Sequence, residues 1–149
     1  MAAVKVIDNK LPYSEIRRIP KERTARRLYI ERKLNYLRGK TKPCPALNAD
    51  VYFDPDPDHG SIHETAFWAS KSHKSVVCTM NITEIIRNAT LVRTDNPKPS
   101  PSTQVDRLGF TKIYILYTKV RYYGTAKLTI GERNRGNFVH YCVTSIKII

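Results

Sequence analysis

Histidine is the residue whose chemistry stands out in this sequence, because an unperturbed pKa of about 6.5 lets it accept or donate a proton near neutral pH. The chain has four histidines: His59, His63, His73 and His140. A helix that begins at Ser61 places His63 and Lys74 on one stripe and Lys71 on the adjoining stripe. This spacing predicts a helix face on which a proton-transfer group lies beside two cations.

Two predicted strands near the end of the chain carry matching groups. His140 lies on the last strand, and Arg121 lies on a long strand that begins near residue 110, where it shares a face with Lys119. A cleft between helix and sheet would gather two histidines and three cations: His63, His140, Lys71, Lys74 and Arg121. Such a set suits metal-independent RNA cleavage. That reaction needs a base for the 2′-hydroxyl, an acid for the leaving oxygen and cations for the charge on phosphorus.

Plainer interpretations of the same residues stay open. In one such interpretation, each histidine is a surface or packing residue. In the same interpretation, Phe67 and Trp68 are core side chains rather than platforms for base stacking. The three cysteines are widely spaced and form no CxxC pair, and the carboxylates of residues 54–60 lack the spacing of an EF-hand loop. The sequence therefore predicts no metal and no cofactor, with the thiols reduced.

Positive charge dominates the composition. The 149 residues include 26 Lys and Arg against 13 Asp and Glu, a formal net charge of +13, and 13 of the basic residues precede residue 46. Such a balance favours nucleic acid or an anionic membrane surface as a partner. The cations predicted to contact phosphates are mainly on a basic helix near the N-terminus: Arg23, Arg26, Arg27, Lys33, Arg38 and, on the sheet, Lys119. A docked helix with a solvated charged face is the alternative.

The elements that would position these residues follow from local pattern. Residues 1–20 predict an extended arm, 21–38 an amphipathic helix that ends at Gly39, and 40–45 a linker. Residues 47–53 predict a short strand, and 61–89 predict two helical pieces, the first opened by a capping box of Ser61 and Glu64, with 75–80 extended between them. A strand at 90–94 and a polar loop at 95–108 precede three strands with period-two alternation, at 110–123, 125–133 and 138–149.

Residues 50–149 resemble the phage-associated branch of the barnase–EndoU–colicin–RelE nuclease superfamily. The strand DVYF (50–53), the helix IHETAFWASKSHKS (62–75) and the helix ITEIIRNA (82–89) carry the first half of the resemblance. The three strands FTKIYILYTKVRYYG (110–124), TAKLTIGER (125–133) and GNFVHYCVTSIKI (136–148) carry the rest. The resemblance rests on the order of these elements, and residues 1–45 lie outside it.

That resemblance implies an α+β fold in which N-terminal helices pack on an antiparallel four-stranded sheet with a C-terminal three-strand meander. It divides the chain into a basic arm and helix (1–45) and a nuclease-like domain (46–149). It also implies metal-independent ribonuclease activity, with catalytic candidates His63, Lys71, Lys74, Arg121, His140 and Ser145. Some branches of this superfamily have lost activity and serve as binding modules.

Two functions of different classes follow. The first is a toxin-like ribonuclease encoded by a phage or another mobile element, that is, a hydrolase that acts on RNA. The second is a non-catalytic accessory protein of a phage or mobile element that binds nucleic acid or a host factor, and a basic structural or membrane-surface protein is a third alternative. A protein inhibitor is a further candidate partner of a ribonuclease. The first residues lack the apolar run of a signal peptide and no stretch is apolar enough to span a bilayer, so we expect a cytoplasmic protein.

Overall fold

One mixed sheet of seven strands forms the centre of the protein, in a computed structural model that describes residues 3–149. The strands are β1 (Val6–Ile7), β2 (Thr41–Cys44), β3 (Ala49–Tyr52), β4 (Thr90–Asp95), β5 (Lys112–Val120), β6 (Gly124–Arg135) and β7 (Phe138–Ile148). Their order is β1-β5-β6-β7-β3-β2, and β4 pairs with β5. Strands β5, β6 and β7 form an antiparallel meander, whereas β1 with β5 and β3 with β7 are parallel pairs. The sheet curls into a half-barrel.

Helices cover one face of this sheet. They are α1 (Tyr13–Ile16), α2 (Arg23–Lys33), α3 (Ser61–Ala69), α4 (His73–Thr79) and α5 (Ile82–Arg87), with 3-10 turns at Asn35–Leu37 and Pro45–Leu47 and a π-helical turn at Thr103–Arg107. Apolar side chains of α2 to α5 meet those of the meander in one core, which includes Ile30, Ile62, Val77, Ile86, Leu116, Leu128, Ile130 and Ile146. Within residues 3–149, no helix is both long enough and apolar enough to cross a bilayer.

The expected antiparallel sheet of four strands is wrong, because the sheet is mixed and contains seven strands. Two of the additional strands come from segments predicted as an extended arm and a linker. Strand β1 pairs with β5 through bonds from the amides of Lys119 and Arg121 to the carbonyls of Lys5 and Ile7. Strand β2 forms the opposite edge, where Pro43 is tolerated because one side of an edge strand needs no partner. Main-chain hydrogen bonding thus makes strands of β1 and β2, although neither segment was predicted as a strand.

Residues before position 46 are integral to this core. Ile30, Leu34 and Leu37 are buried in the main apolar cluster, and β2 pairs with β3 across the expected boundary at residue 45. Residues 1 and 2 of the expected arm lie outside the described residues.

The segment expected to be extended at residues 75–80 is mostly helical, as α4. Ser72 caps this helix by accepting a hydrogen bond from the Ser75 amide at 3.1 Å. Val76, Val77 and Cys78 are fully buried against the other helices and the sheet. Burial of these side chains outweighs the weak helix propensity of β-branched residues, which is a small effect per residue.

Helix α3 covers the outer edge of β7, and the expected capping box is wrong for this reason. Gly60 is the N-cap, while Ser61 donates its hydroxyl hydrogen to the Val143 carbonyl. The Ile146 amide donates to the Thr65 hydroxyl at 3.1 Å, and Lys71 donates to the Ile148 carbonyl. Strand β3 pairs with β7 only through residues 141 and 142, so the rest of that edge needs these side-chain partners.

A β-bulge in β7 changes which side chains share a face. The partner of Thr129 is Ser145 and the partner of Ile130 is Val143, so Thr144 is the extra residue. Cys142 and Ser145 therefore face the same side of the sheet, although simple alternation assigns them to opposite sides. This side, opposite the main core, carries a second apolar cluster that includes Phe110, Ile113 and Ile115.

We predict that Thr65→Val lowers the free energy of unfolding by about 1–3 kcal/mol, because the buried Ile146 amide loses its acceptor while side-chain volume is kept. Chemical denaturation monitored by circular dichroism measures this change. Thr24→Val is the matched control on the exposed surface of α2, and it should change stability by less than about 0.5 kcal/mol. Equal stabilities of the two variants would contradict the role of α3 as the cover of β7.

Candidate functional site

A cleft of about 920 Å³ lies on the face of the sheet that carries the second apolar cluster. Its floor is formed by side chains of β5, β6 and β7: Ile113, Ile115, Lys127, Thr129, Ser145 and Lys147. One wall is α3, which contributes Glu64 and Trp68. Residues of the loop from Asn96 to Gln104 also line the cleft. The cleft is therefore bounded by the meander, by α3 and by the long loop.

Three lysines converge in this cleft. Lys127 and Lys147 stand directly opposite each other on neighbouring strands, a like-charge pair that destabilises a sheet. Burial lowers the pKa of Lys147, and the positive charges of Lys127 and Lys98 lower it further, against an opposing effect of Glu64. Within residues 3–149, no carboxylate lies within 4.0 Å of the ammonium of any of these three lysines. The cleft is also lined by Arg93 and by the carboxylates of Asp54, Glu64 and Asp95, and Arg93 pairs with Asp95, so among the described residues of the cleft the positive charge without an ion-pair partner is that of the three lysines.

Trp68 lies beside this cluster and is 39% exposed. The ammonium of Lys147 lies 3.6 Å from the centre of the indole ring, a cation–π contact. Phe67, also partly exposed, contacts Trp68 edge to face, with ring centres 5.1 Å apart. Both rings lie outside the main apolar core, contrary to the interpretation of these two residues as core side chains.

The loop beside the cleft is folded on itself by side-chain hydrogen bonds. Asp106 accepts hydrogen bonds from the Ser100 hydroxyl and from the Ser102 amide, each at 2.7 Å, and these bonds lower the pKa of Asp106. Arg107 ties the loop to the turn after β3 through contacts with Asp54 at 3.6 Å and Asp56 at 3.5 Å. The loop is thus held in place as a wall by its own bonds and by one arginine.

His63 lies outside the cleft, between α2 and α3. Its Nδ1 is 3.2 Å from the Glu31 carboxylate, and its Nε2 is 3.3 Å from the Arg27 guanidinium. The imidazole therefore lies between a carboxylate and a guanidinium of α2, and these contacts link α3 to α2.

His140 occupies a separate environment on β7. Arg133 donates to its Nδ1 at 3.1 Å, and its ring stacks at a tilt on Tyr52 with centres 5.1 Å apart. Burial lowers the pKa of His140, and the charges of Arg133 and Arg135 lower it further. His63 and His140 thus share no partner, and neither lines the cleft.

The other catalytic candidates are dispersed, with one exception. Ser145 lines the cleft, whereas Lys71 bonds the end of β7 and Lys74 is exposed in the first turn of α4. Arg121 pairs with Asp8 at 2.9 Å beside β1. The structure does not bring the set of two histidines and three cations together in one cleft, and their catalytic role stays a prediction.

Most of the basic residues predicted to contact phosphates make contacts within the protein. Arg23 and Arg26 donate to the end of α3, at the Phe67 and Ser70 carbonyls, and Lys33 pairs with Glu15 at 3.2 Å. Arg27 and Arg38 likewise have contacts within the chain, and Lys119 is exposed on β5. The amphipathic helix is thus docked partly through its own cations, so its charged face is not simply solvated, and phosphate contact by these residues stays a prediction.

Sequence reasoning missed Lys98, Lys127, Lys147 and Glu64 as a group. Alternation along β6 already places Lys127 and Thr129 on one face, which was the available signal. The face of Lys147 was hidden by the bulge at Thr144, since one extra residue reverses the alternation that follows. Lys98 lies on a loop whose position no local pattern specifies.

Comparison with known proteins assigns no family to this arrangement. No protein-family model, no curated protein and no solved structure matches the chain. Nothing in these comparisons bears on the resemblance to the nuclease superfamily, which stays a hypothesis.

We predict that Lys127→Met raises the pKa of Lys147, because it removes a nearby positive charge that disfavours the charged form of the amine. Nuclear magnetic resonance titration of the lysine side chains measures this pKa. Lys112→Met is the matched control on β5, since Lys112 is not among the groups that shift Lys147. An unchanged pKa in Lys127→Met would contradict the proximity of the two ammonium groups.

Proposed function

We propose that the protein binds RNA, with the sugar–phosphate backbone in the cleft between α3 and the meander. The observation that carries this proposal is the pair Lys127 and Lys147, held opposite each other without a carboxylate partner in the described residues. A phosphate between two lysines converts mutual repulsion into attraction, and Lys98 adds a third cation. The net charge of +13 supports the same class of partner through long-range attraction.

The setting of this activity remains part of the proposal. The resemblance to phage-associated nucleases supports a phage or mobile-element protein that acts in the cytoplasm. A protein inhibitor or host factor is compatible with that setting.

Removing the three lysines tests the proposal. We predict that the triple variant Lys98→Met, Lys127→Met, Lys147→Met binds single-stranded RNA more weakly. The slope of log affinity against log salt should shrink by about 0.7 for each phosphate that the variant no longer neutralises. Fluorescence anisotropy of labelled RNA across a salt series measures both quantities.

The control removes the same charge elsewhere, with Lys5→Met, Lys10→Met and Lys40→Met on exposed positions outside the cleft. This control variant should lower affinity only through the loss of net charge. Its slope of log affinity against log salt should therefore stay closer to the wild-type slope than that of the cleft variant. Equal losses of affinity and slope in the two triple variants would contradict the cleft as the binding site. Absence of RNA binding by the wild type at about 50 mM salt would refute the function itself.

Metal-independent RNA cleavage is the second candidate, and one observation favours it. Glu64 and Lys147 line the same cleft, and the lowered pKa of Lys147 makes its ammonium a better acid. The Glu64 carboxylate would take the proton of a 2′-hydroxyl, whose oxygen attacks phosphorus. The bond from phosphorus to the 5′-oxygen breaks, and Lys147 donates a proton to that oxygen. The products are a 2′,3′-cyclic phosphate and a 5′-hydroxyl.

We predict that Glu64→Gln and Lys147→Met each lower the cleavage rate by about 10²–10⁴-fold, because each removes one proton-transfer group. Lys147 must be protonated to act as the acid, so activity should fall as the pH rises through the pKa of Lys147. Because that pKa is lowered, the fall should begin below the ordinary lysine pKa of about 10.4. Gel analysis of labelled RNA in EDTA, with chemical identification of the cyclic phosphate, measures these effects.

Variants His63→Ala and His140→Ala distinguish this pair from the histidine pair expected from the sequence. A comparable loss of activity in the two histidine variants, with Glu64→Gln fully active, would assign the chemistry to the histidines. A wild type that binds RNA but leaves it intact would leave binding as the sole function.

A further inference from the structure

We infer that the cleft accepts a single strand of nucleic acid and that one base of this strand stacks on Trp68. This inference rests on the proposed RNA binding and adds the form of the ligand and the residue that selects it. Three observations carry it: the position of the exposed indole, its contact with Lys147, and the size and lining of the cleft.

Part of the Trp68 side chain is exposed in the cleft, with Lys147 over the centre of its ring. The side chain is 39% exposed and lines the cleft, whereas the neighbouring helix residues Ala66 and Ala69 are fully buried. Proteins that bind single strands place aromatic rings beside a cationic groove, because every base has a flat face that stacks. The pair Phe67 and Trp68 next to three lysines has that composition.

The contact between Trp68 and Lys147 matches the two parts of one nucleotide. The lysine ammonium lies 3.6 Å from the centre of the indole ring. A base that replaces this ammonium over the ring would carry its own phosphate within reach of the displaced lysine. Within the described residues, no carboxylate forms an ion pair with Lys127 or Lys147. The phosphate of the nucleotide would supply that negative charge.

The size and lining of the cleft favour a single strand over a double helix. The loop beside the cleft contributes three prolines to its lining, Pro97, Pro99 and Pro101. Arg107 anchors that loop to the turn after β3. A volume of about 920 Å³ is in the range of pockets for compact ligands and suits a few nucleotides rather than a duplex. A strand with unpaired bases is therefore the form that can reach Trp68.

Trp68 is the only tryptophan in the sequence, so its fluorescence reports directly on the cleft. We expect an oligouridylate to quench this emission in the wild-type protein, because a stacked base quenches an indole. An RNA duplex of the same length should bind more weakly and cause less quenching. Uridine monophosphate serves as the third probe, for a free nucleotide as the ligand.

Anisotropy of labelled oligouridylate then tests the role of the ring. Trp68→Leu should weaken affinity by about fivefold to 150-fold with an unchanged salt slope, since stacking is removed and the phosphate contacts remain. Trp68→Phe keeps an aromatic face and should bind more tightly than Trp68→Leu. The same assay on the triple lysine variant should show the reverse pattern, with a smaller salt slope.

Each contrary result has a separate meaning. Tight binding of oligouridylate without quenching, or with Trp68→Leu unaffected, overturns base stacking and leaves RNA binding standing. Equal affinity for the duplex overturns selection of a single strand. Uridine monophosphate that binds as tightly as the oligouridylate overturns a strand as the ligand. Failure of every RNA probe to bind overturns this inference together with the proposed function.

Discussion

The outer edge of β7 is the constraint on which the rest of the structure depends. Beyond residue 142 this edge has no neighbouring strand, and its carbonyls and amides need partners in a buried environment. Ser61, Thr65 and Lys71 supply those partners from α3 and the residues just after it. This docking places Glu64 and Trp68 at the border of the cleft, so the same contacts that complete the sheet also build the candidate site.

The candidate site contains interactions that oppose folding. Lys127 and Lys147 repel each other across two strands, and the lowered pKa of Lys147 expresses the free energy of keeping that charge partly buried. A bulge at Thr144 is what turns Lys147 toward Lys127, and bulges often re-aim side chains near functional sites. An anion bound between the two ammonium groups would offset this repulsion.

The basic character of the protein therefore has two separate physical roles. Arginines of α2 hold that helix against the end of α3 through hydrogen bonds and through contact with the Phe67 ring. The ammonium groups of the cleft lysines form no ion pair within the described residues, and that of Lys147 lies over the Trp68 ring. Net charge predicts attraction to nucleic acid without distinguishing the two groups. Among the lysines and arginines that line the cleft, Arg93 pairs with Asp95, whereas Lys98, Lys127 and Lys147 have no ion pair within the described residues.

The sequence by itself determined those features that depend on residues close together in the chain. Period-two alternation after residue 110 specified the strands of the meander, and glycines such as Gly136 specified its turns. Helical spacing likewise located the starts of α2 and α3 to within two residues, although both helices end earlier than expected, at Lys33 and Ala69. These patterns are local because a side chain's direction along a strand or helix follows from its position alone.

Other features depend on contacts between residues far apart in the chain, and only the tertiary structure decided these. Strand β1 exists because the distant strand β5 offers unpaired amides and carbonyls, and α4 is helical because burial outweighs propensity. Strand β2 pairs with its neighbour β3, and this pair joins the sheet only where β3 meets the distant strand β7. His63 and His140 lie apart because one contacts α2 and the other packs beside Arg133. The cleft lysines meet because a single extra residue reversed the faces of β7. Contacts between residues far apart in the chain carry no local periodicity, and for that physical reason the sequence did not disclose them.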